Sequence, residues 1–470
     1  MASSSLNRRT FLKAGVGTAL AGAATRLPAA LVPKRQNILI ITTDEQSADA
    51  MTCSIGHDLL YTPNIDSLAL TGMRFTRAYA ANPLCVPSRT SMYTGRYPVE
   101  TGVETNDDLN PDLDASRFPC MGTVFEQAGY RTAYFGKWHL PYPVKDKNAH
   151  GFQQVEDRVD DRGTVDEAAK FLGGKNPQPF LAVASFLNPH NICNWARGEE
   201  LSQGPIGPAP QAADCPPLRV DFPPQKNEPD IMTLMRESYQ RSPMFPVGNF
   251  SDEKWRQYEW AYYRIVEKVD ALIGKVLQAV QDNRLEEDTL IVFLSDHGDC
   301  QGAHHWSQET VFYEESVRVP FILKWKGKVA RGTSDRLVST GVDLIPTLCG
   351  LAGIPQPKGL RGLDLTDTAT GRTRRDPREY VVASNHMVQG APVDGRIPKP
   401  RGRMVRGQRY KYCVYDEGKH RESLVDLASD PGEMVNLAGQ PHFQEVLKSH
   451  RRMLMQWETD LGYSFPIPQG

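Results

Sequence analysis

Four continuous apolar runs, each ending in a cluster of polar side chains, limit what this chain can fold into. Residues 37–43 run into Asp44-Glu45, residues 131–135 into Gly136-Lys137-Trp138-His139, residues 180–187 into Asn188-Pro189-His190, and residues 289–295 into Asp296-His297-Gly298-Asp299. Runs without polar alternation suit strands buried on both faces, as in a parallel sheet covered by helices on each side. Polar clusters directly after such strands fall at the carboxyl edge of the sheet, where open α/β folds place ligands. Between the last two runs, Trp255, Tyr258, Tyr262, Ile265, Val269, Leu272 and Val276 recur at three and four residues. That spacing predicts a long amphipathic helix over 252–282 whose aromatic stripe is core. The expectation is an α/β fold with a large doubly wound, mostly parallel sheet flanked by helices.

Weaker signals fill in the rest. Pro63 follows Thr62 at a capped helix start, residues 73–79 read as a strand, and residues 343–353 as a helix. Residues 196–250 are rich in Pro, Gly and Gln with little periodicity, and read as an insertion folding over the mouth of a site. A Thr-, Arg- and Asp-rich stretch at 366–378 marks a boundary. Beyond it, residues 410–415 alternate like a strand, Asp430-Pro431-Gly432 forms a turn, and a final helix is expected near 441–459. The expected division is a leader over 1–30, a main domain over 35–370, and a smaller C-terminal subdomain with an antiparallel sheet over 375–465.

Within the main domain, Cys85-Val86-Pro87-Ser88-Arg89 stands at a predicted helix start, since proline is tolerated in a first helical turn. Unsatisfied N–H groups and the helix dipole attract anions there, and Arg89, one turn on, returns a fixed positive charge toward Cys85. Chemistry on an anionic substrate follows. The run through Thr90-Ser91-Met92-Tyr93-Thr94-Gly95-Arg96-Tyr97-Pro98 resembles the signature of the type I, formylglycine-dependent sulfatases of the alkaline-phosphatase-like superfamily. The four polar clusters, Tyr313-Glu314-Glu315 with Arg318-Val319-Pro320, and Asp426-Leu427 before Asp430-Pro431 and Asn436-Leu437 correspond to family motifs in family order.

The resemblance implies a sulfuric ester hydrolase in which Cys85 is oxidised to formylglycine, whose hydrate is the nucleophile. Asp44, Glu45, Asp296, His297 and an oxygen of the modified Cys85 would surround a divalent cation, usually calcium in the family, with magnesium or manganese also open. Asp296 would take the nucleophile's proton, His190 would protonate the leaving alcohol, and Lys137 would bind sulfate oxygens. His139 would then deprotonate the remaining hydroxyl, expelling sulfate and restoring the aldehyde. Cys85, Arg89, Lys137, His139, His190 and Asp296 are thus the implied catalytic set. Three positions depart from the family pattern. Glu45 replaces Asp or Gln, His297 replaces Asn in many members, and Glu309 stands where a sulfate-binding Lys is general. Because a carboxylate beside a sulfate is repelled, Glu309 is expected to point away from it, pairing with a base or holding a sugar hydroxyl or amino group. His304 or His305 is expected to supply the missing donor.

The N-terminus, with Arg8-Arg9 before a short small-residue apolar run, reads as a twin-arginine export signal. It is too short to span a bilayer, so the mature chain is expected to have no membrane span and to be periplasmic or secreted. A sulfatase-modifying enzyme is the expected partner before export. A formal charge of −2 gives no reason to expect nucleic acid. Seven cysteines besides Cys85 leave at least one unpaired within the chain, and their spacing matches no zinc site. The expected substrate is a sulfated carbohydrate met in polysaccharide degradation; the alternative is a phosphonate monoester or phosphodiester attacked by the same nucleophile.

Overall fold

The computed structural model describes residues 35–107, 110–373 and 378–468, so the expected export signal at 1–30 lies outside the described residues. The chain divides into two units, Met1–Arg35 and Gln36–Gly470, and the sheets and the site lie in the second.

Eight strands form the main sheet: β1 (Asn37–Asp44), β2 (Met73–Tyr79), β3 (Arg131–Gly136), β4 (Gln154–Asp157), β5 (Phe180–Pro189), β6 (Thr289–Ser295), β7 (Phe321–Lys324) and β8 (Gly332–Ser339). Their order is β4-β3-β5-β1-β6-β7-β2-β8. All neighbours are parallel except β7, which runs antiparallel to both β6 and β2. The apolar runs are continuous because both faces are covered. Ile38, Ile40, Leu181, Val183, Leu290 and Val292 enter one core, with Met92, Leu344 and Leu348 from the helices Cys85–Thr94 and Thr340–Ala352. Leu39, Ile41, Ala182, Ala184, Ile291 and Phe293 enter the other, with Val269, Ile273 and Val276 from the helix Asp252–Asp282.

The central strand β1 lies between β5 and β6, with Thr43 in register with Ser295. The carboxyl ends of β1, β3, β5 and β6 therefore open on one edge of the sheet. There the polar clusters of residues 44, 137, 190 and 296 meet.

A four-stranded antiparallel sheet follows: β9 (Tyr380–His386), β10 (Arg401–Gly407), β11 (Tyr410–Tyr415) and β12 (Glu422–Asp426), in the order β12-β11-β10-β9. Val382, Val405, Tyr412 and Leu424 pack against Leu447, Leu454 and Trp457 of the last helix, Gln444–Leu461. The stretch read as a boundary carries a short helix, Thr366–Ala369.

The segment 196–250 is more ordered than its composition implies. It contains the helix Asp230–Gln240, whose Ile231, Met232, Met235 and Tyr239 are buried against Trp306 and Tyr313. Its apolar positions follow a helical period that the surrounding Pro and Gly mask. Among the described residues no helix is long and apolar enough to cross a membrane. All eight cysteines are free.

Candidate active site

Cys85 opens the helix Cys85–Thr94 and is buried beneath the sheet edge. Its Sγ lies 3.2 Å from His297 Nε2, 3.6 Å from Lys137 Nζ, and 3.7 Å from both Asp44 Oδ1 and Glu309 Oε2. Burial, followed by the charges of Asp44 and Glu309, pushes the thiol well above its ordinary range. An unmodified thiol here is a poor nucleophile, because the thiolate is the reactive form.

Arg89 ties the cluster together. Its Nε donates to Asp296 Oδ2 and a terminal nitrogen to Asp44 Oδ2, both at 2.8 Å, while the other terminal nitrogen donates to Ser185 Oγ and the Lys137 carbonyl. With the guanidinium fully engaged by protein, Arg89 acts through the two carboxylates as a positioning residue. Lys137 Nζ lies 2.5 Å from Asp44 Oδ2. Burial works against the Asp44 charge, but Lys137 and Arg89 outweigh it and hold its pKa well below the usual range.

Asp44, Cys85, Asp296 and His297 each offer a ligand atom within 4.8 Å of the others, all buried. His297 Nδ1 faces the Gly298 carbonyl at 3.2 Å, which places a proton on Nδ1 and leaves Nε2 toward Asp44 and Asp296. Two carboxylates and one imidazole suit a hard or borderline divalent cation. Glu45 is set apart from this group. Its residue has a left-handed backbone (φ 71), its side chain is fully buried, and neither carboxylate oxygen has a hydrogen-bond donor. Its Oε2 lies 3.9 Å from His190 Nε2, in a second group with Asp44. A buried carboxylate without donors is costly unless a cation meets it, so the donor set as a whole fits a divalent metal.

His139 and His190 form the more open side of the cluster. His139 is exposed with a left-handed backbone, and His190 is partly exposed. Burial and then the Lys137 charge push the His190 imidazole down to about 3, whereas the negative charge of a sulfate ester beside it would favour its protonated form.

Three expectations are corrected. Glu309 pairs with a base, its Oε2 3.0 Å from His297 Nε2, but it does not point away: it is buried, 3.7 Å from the Cys85 sulfur. His304 does not replace a lysine at the site; its ring is buried, stacked on Tyr313 at 3.9 Å between centroids, with both nitrogens unpartnered. His305 packs edge-on against Phe222, and its carbonyl accepts from Gln240. Left-handed backbone at His304, His305, Gln308 and Thr310 turns these side chains in directions that spacing alone does not reveal.

The sequence reading passed over several supports. Tyr258 donates to Asp299 at 2.8 Å and Tyr262 to the Glu45 carbonyl at 2.9 Å, so the stripe read as core also holds two of the site loops. The signal was present: a buried tyrosine, unlike a phenylalanine, needs a partner for its hydroxyl. Ser88 donates to the Asp296 carbonyl, and Tyr134 and Ser185 to that of Lys137.

Comparison with known proteins gives this geometry its family. A model of the sulfatase family matches residues 36–354, and one described as N-sulphoglucosamine sulphohydrolase, C-terminal, matches residues 302–460. The chain belongs to the sulfatase family. Sulfatases generally use formylglycine and a divalent metal, and this one is a sulfuric ester hydrolase. It is 32% identical over 463 residues to a Delta 4,5-hexuronate-2-O-sulfatase of Bacteroides thetaiotaomicron, an alignment covering 94% of this sulfatase and 92% of that protein. A solved 2-O GAG sulfatase superposes with a TM-score of 0.78 at 29% identity, covering 91% and 93% of the two chains. The phosphonate monoester hydrolase of Agrobacterium radiobacter shares the fold, with a TM-score of 0.71 at 21% identity and 91% and 96% coverage.

Proposed function

We propose that this sulfatase removes sulfate from a carbohydrate, with residue 85, as formylglycine, supplying the nucleophile. The observation that carries the proposal is the position of the Cys85 side chain, in reach of Asp44, Lys137 and His297 at the edge of the sheet. Asp44, Asp296, His297 and residue 85, with Glu45 beside them, would hold the divalent cation, calcium in the reading the family supports. Such a cation, when bound, polarises sulfuryl oxygens and lowers the pKa of the attacking hydroxyl. Lys137 is held by Asp44 with its ammonium facing residue 85, so it meets the oxygens of a sulfate ester there. Asp296 is fixed by Arg89 and by the Glu45 and His297 amides, ready to take a proton from the nucleophile. His190 and His139 stand on the open side, where the alcohol leaves and solvent enters. His190 protonates the alcohol and His139 accepts the proton that releases sulfate.

The relatives' activities on 2-O-sulfated hexuronate and glycosaminoglycan support a uronate-containing substrate. The paired arginines near the N-terminus support twin-arginine export of a folded chain to the periplasm or medium, with a sulfatase-modifying enzyme acting beforehand. Full-length chain produced with such an enzyme should release sulfate from an unsaturated 2-O-sulfated uronate disaccharide. Its kcat/KM there should exceed that on matched nitrophenyl phosphodiester and phosphonate by at least about 10²-fold. A higher value on the phosphonate would replace the sulfatase reading with the alternative one.

A further inference from the structure

We propose that Cys193, Asn194 and Glu199 form a hydrogen-bonded chain behind His190 that keeps a hydrogen on its Nδ1 and so reserves Nε2 for proton transfer to the departing sugar oxygen. The inference rests on the reading of His190 as the leaving-group acid. A histidine acting as an acid must present one chosen nitrogen to the reacting bond, and the partner of the other nitrogen decides which. Among the described residues the His190 ring has one hydrogen-bonding partner, the Cys193 sulfur, 3.6 Å from Nδ1. Nε2 lies toward the catalytic cluster, 3.9 Å from Glu45 Oε2. A thiol both donates and accepts, so the direction of its contact with Nδ1 comes from its surroundings. Burial pushes the Cys193 thiol up to about 11, with the Arg197 charge opposing, so it keeps its own proton near neutral pH.

The far end of the chain settles that direction. A guanidinium only donates, and Arg197 gives Nε and a terminal nitrogen to Glu199 Oε1 and Oε2 at 2.8 and 2.9 Å. Glu199 Oε2 also accepts from Asn194 Nδ2 at 2.7 Å; since a carboxylate needs a donor, the carboxamide nitrogen must face it and the oxygen must face away. That oxygen lies 3.4 Å from the Cys193 sulfur and takes the S–H proton. The sulfur then has only lone pairs to offer His190, so Nδ1 carries the hydrogen between them. The backbone keeps the chain in place. The Cys193 amide donates to the His190 carbonyl at 3.1 Å at the start of the helix Ile192–Arg197, and left-handed Gly198 (φ 72) ends that helix and brings the Glu199 amide back onto the Asn194 carbonyl at 2.9 Å. In the reaction the S–O bond to the sugar breaks as one forms to the nucleophile of residue 85. Its electron pair goes to the sugar oxygen, which takes the proton from Nε2, and the ring is left neutral with its hydrogen still on Nδ1. A sugar alcohol needs that proton, whereas a nitrophenolate leaves as a stable anion.

The test compares the full-length enzyme, produced with a sulfatase-modifying enzyme, on the unsaturated 2-O-sulfated uronate disaccharide and on 4-nitrophenyl sulfate, for wild type, Cys193→Ala, Cys193→Ser and His190→Ala. Loss of the acid itself in His190→Ala should lower the ratio of kcat/KM on the sugar to that on the aryl ester by at least about 10²-fold. Cys193→Ala should lower the same ratio by at least about ten-fold, through kcat and not KM. Cys193→Ser, whose hydroxyl also donates to Asn194 and accepts from Nδ1, should restore most of it. An unchanged ratio in Cys193→Ala beside a collapsed one in His190→Ala overturns this inference and leaves His190 as the acid. An unchanged ratio in His190→Ala overturns the acid reading itself. Equal losses on both substrates in Cys193→Ala, or a loss confined to KM on the sugar, would also refute the chain, the first by making it a support of the fold and the second by placing Cys193 in sugar binding. Should Cys193→Ala not fold, Asn194→Ala carries the same comparison: it frees the S–H to turn toward Nδ1, so the ratio should fall likewise, and a wild-type ratio overturns the proposal.

Discussion

At the scale of single residues, most of the charge buried in the site has a partner that answers it, Glu45 with no donor being the exception that a cation would meet. Arg89 answers Asp44 and Asp296, and replacing either partner would leave a buried charge uncompensated. Charge balance also accounts for the Glu309 correction. Repulsion sets a carboxylate against a sulfate, whereas this side chain faces His297 and Cys85, a direction set by two left-handed turns that the letters Gln, Glu and Thr do not announce. His304 buries a neutral ring instead. Burial, with Lys411 adding and Asp221 opposing, pushes its pKa down to about 4, against an ordinary value near 6.5. A depressed histidine contributes stability above the unfolded pKa that is lost as pH falls toward the folded one, because the unfolded chain takes the proton first. Relative to His304→Gln, wild type should therefore lose about 3 kcal/mol of unfolding free energy between pH 6.5 and pH 4. Denaturant melts across that window would show it, and parallel curves for the two proteins would contradict it.

At the scale of elements, the central strands were legible because burial on both faces leaves their middles apolar, as in β6, which coincides with 289–295; the mixed run 73–79 also coincides with β2 and 252–282 with the long helix, whereas β4 and β8, polar and partly exposed along much of their length, were not read. Strand-end chemistry was legible for the same reason, since any polar cluster after such a strand must emerge at the edge. The antiparallel direction of β7 was not legible, because a short apolar run carries no sign of direction. Nor was the close packing of β3 on β5. Gly136, the last residue of β3, has φ +103, and a Cβ there would lie 1.9 Å from the Ser185 carbonyl oxygen. It is the hinge that turns Lys137 toward Cys85. Gly136→Ala should cost about 3 kcal/mol or more in unfolding free energy and lower kcat/KM further by displacing Lys137. Wild-type stability in that variant, measured by urea denaturation, would show that the strand pair has room to spread.

At the scale of the whole molecule, two sheets converge on one small volume. The main sheet delivers residues 44, 137, 190 and 296 from four strand ends, and β9 of the smaller sheet steadies the turn that carries Glu309 through Asn385. The order of motifs along the chain was enough to place most of this constellation. The tyrosine hydroxyls and the helix Asp230–Gln240 beside it were missed, since their role depends on contacts far apart in sequence. The central claim is that this buried cluster is built around a modified residue 85. Peptide mass spectrometry of the protein purified through its sulfate-releasing activity tests it most directly. The peptide containing residue 85 should carry the aldehyde in place of the thiol, with activity proportional to the converted fraction across preparations. Full activity in a preparation whose residue 85 is entirely cysteine would contradict the account.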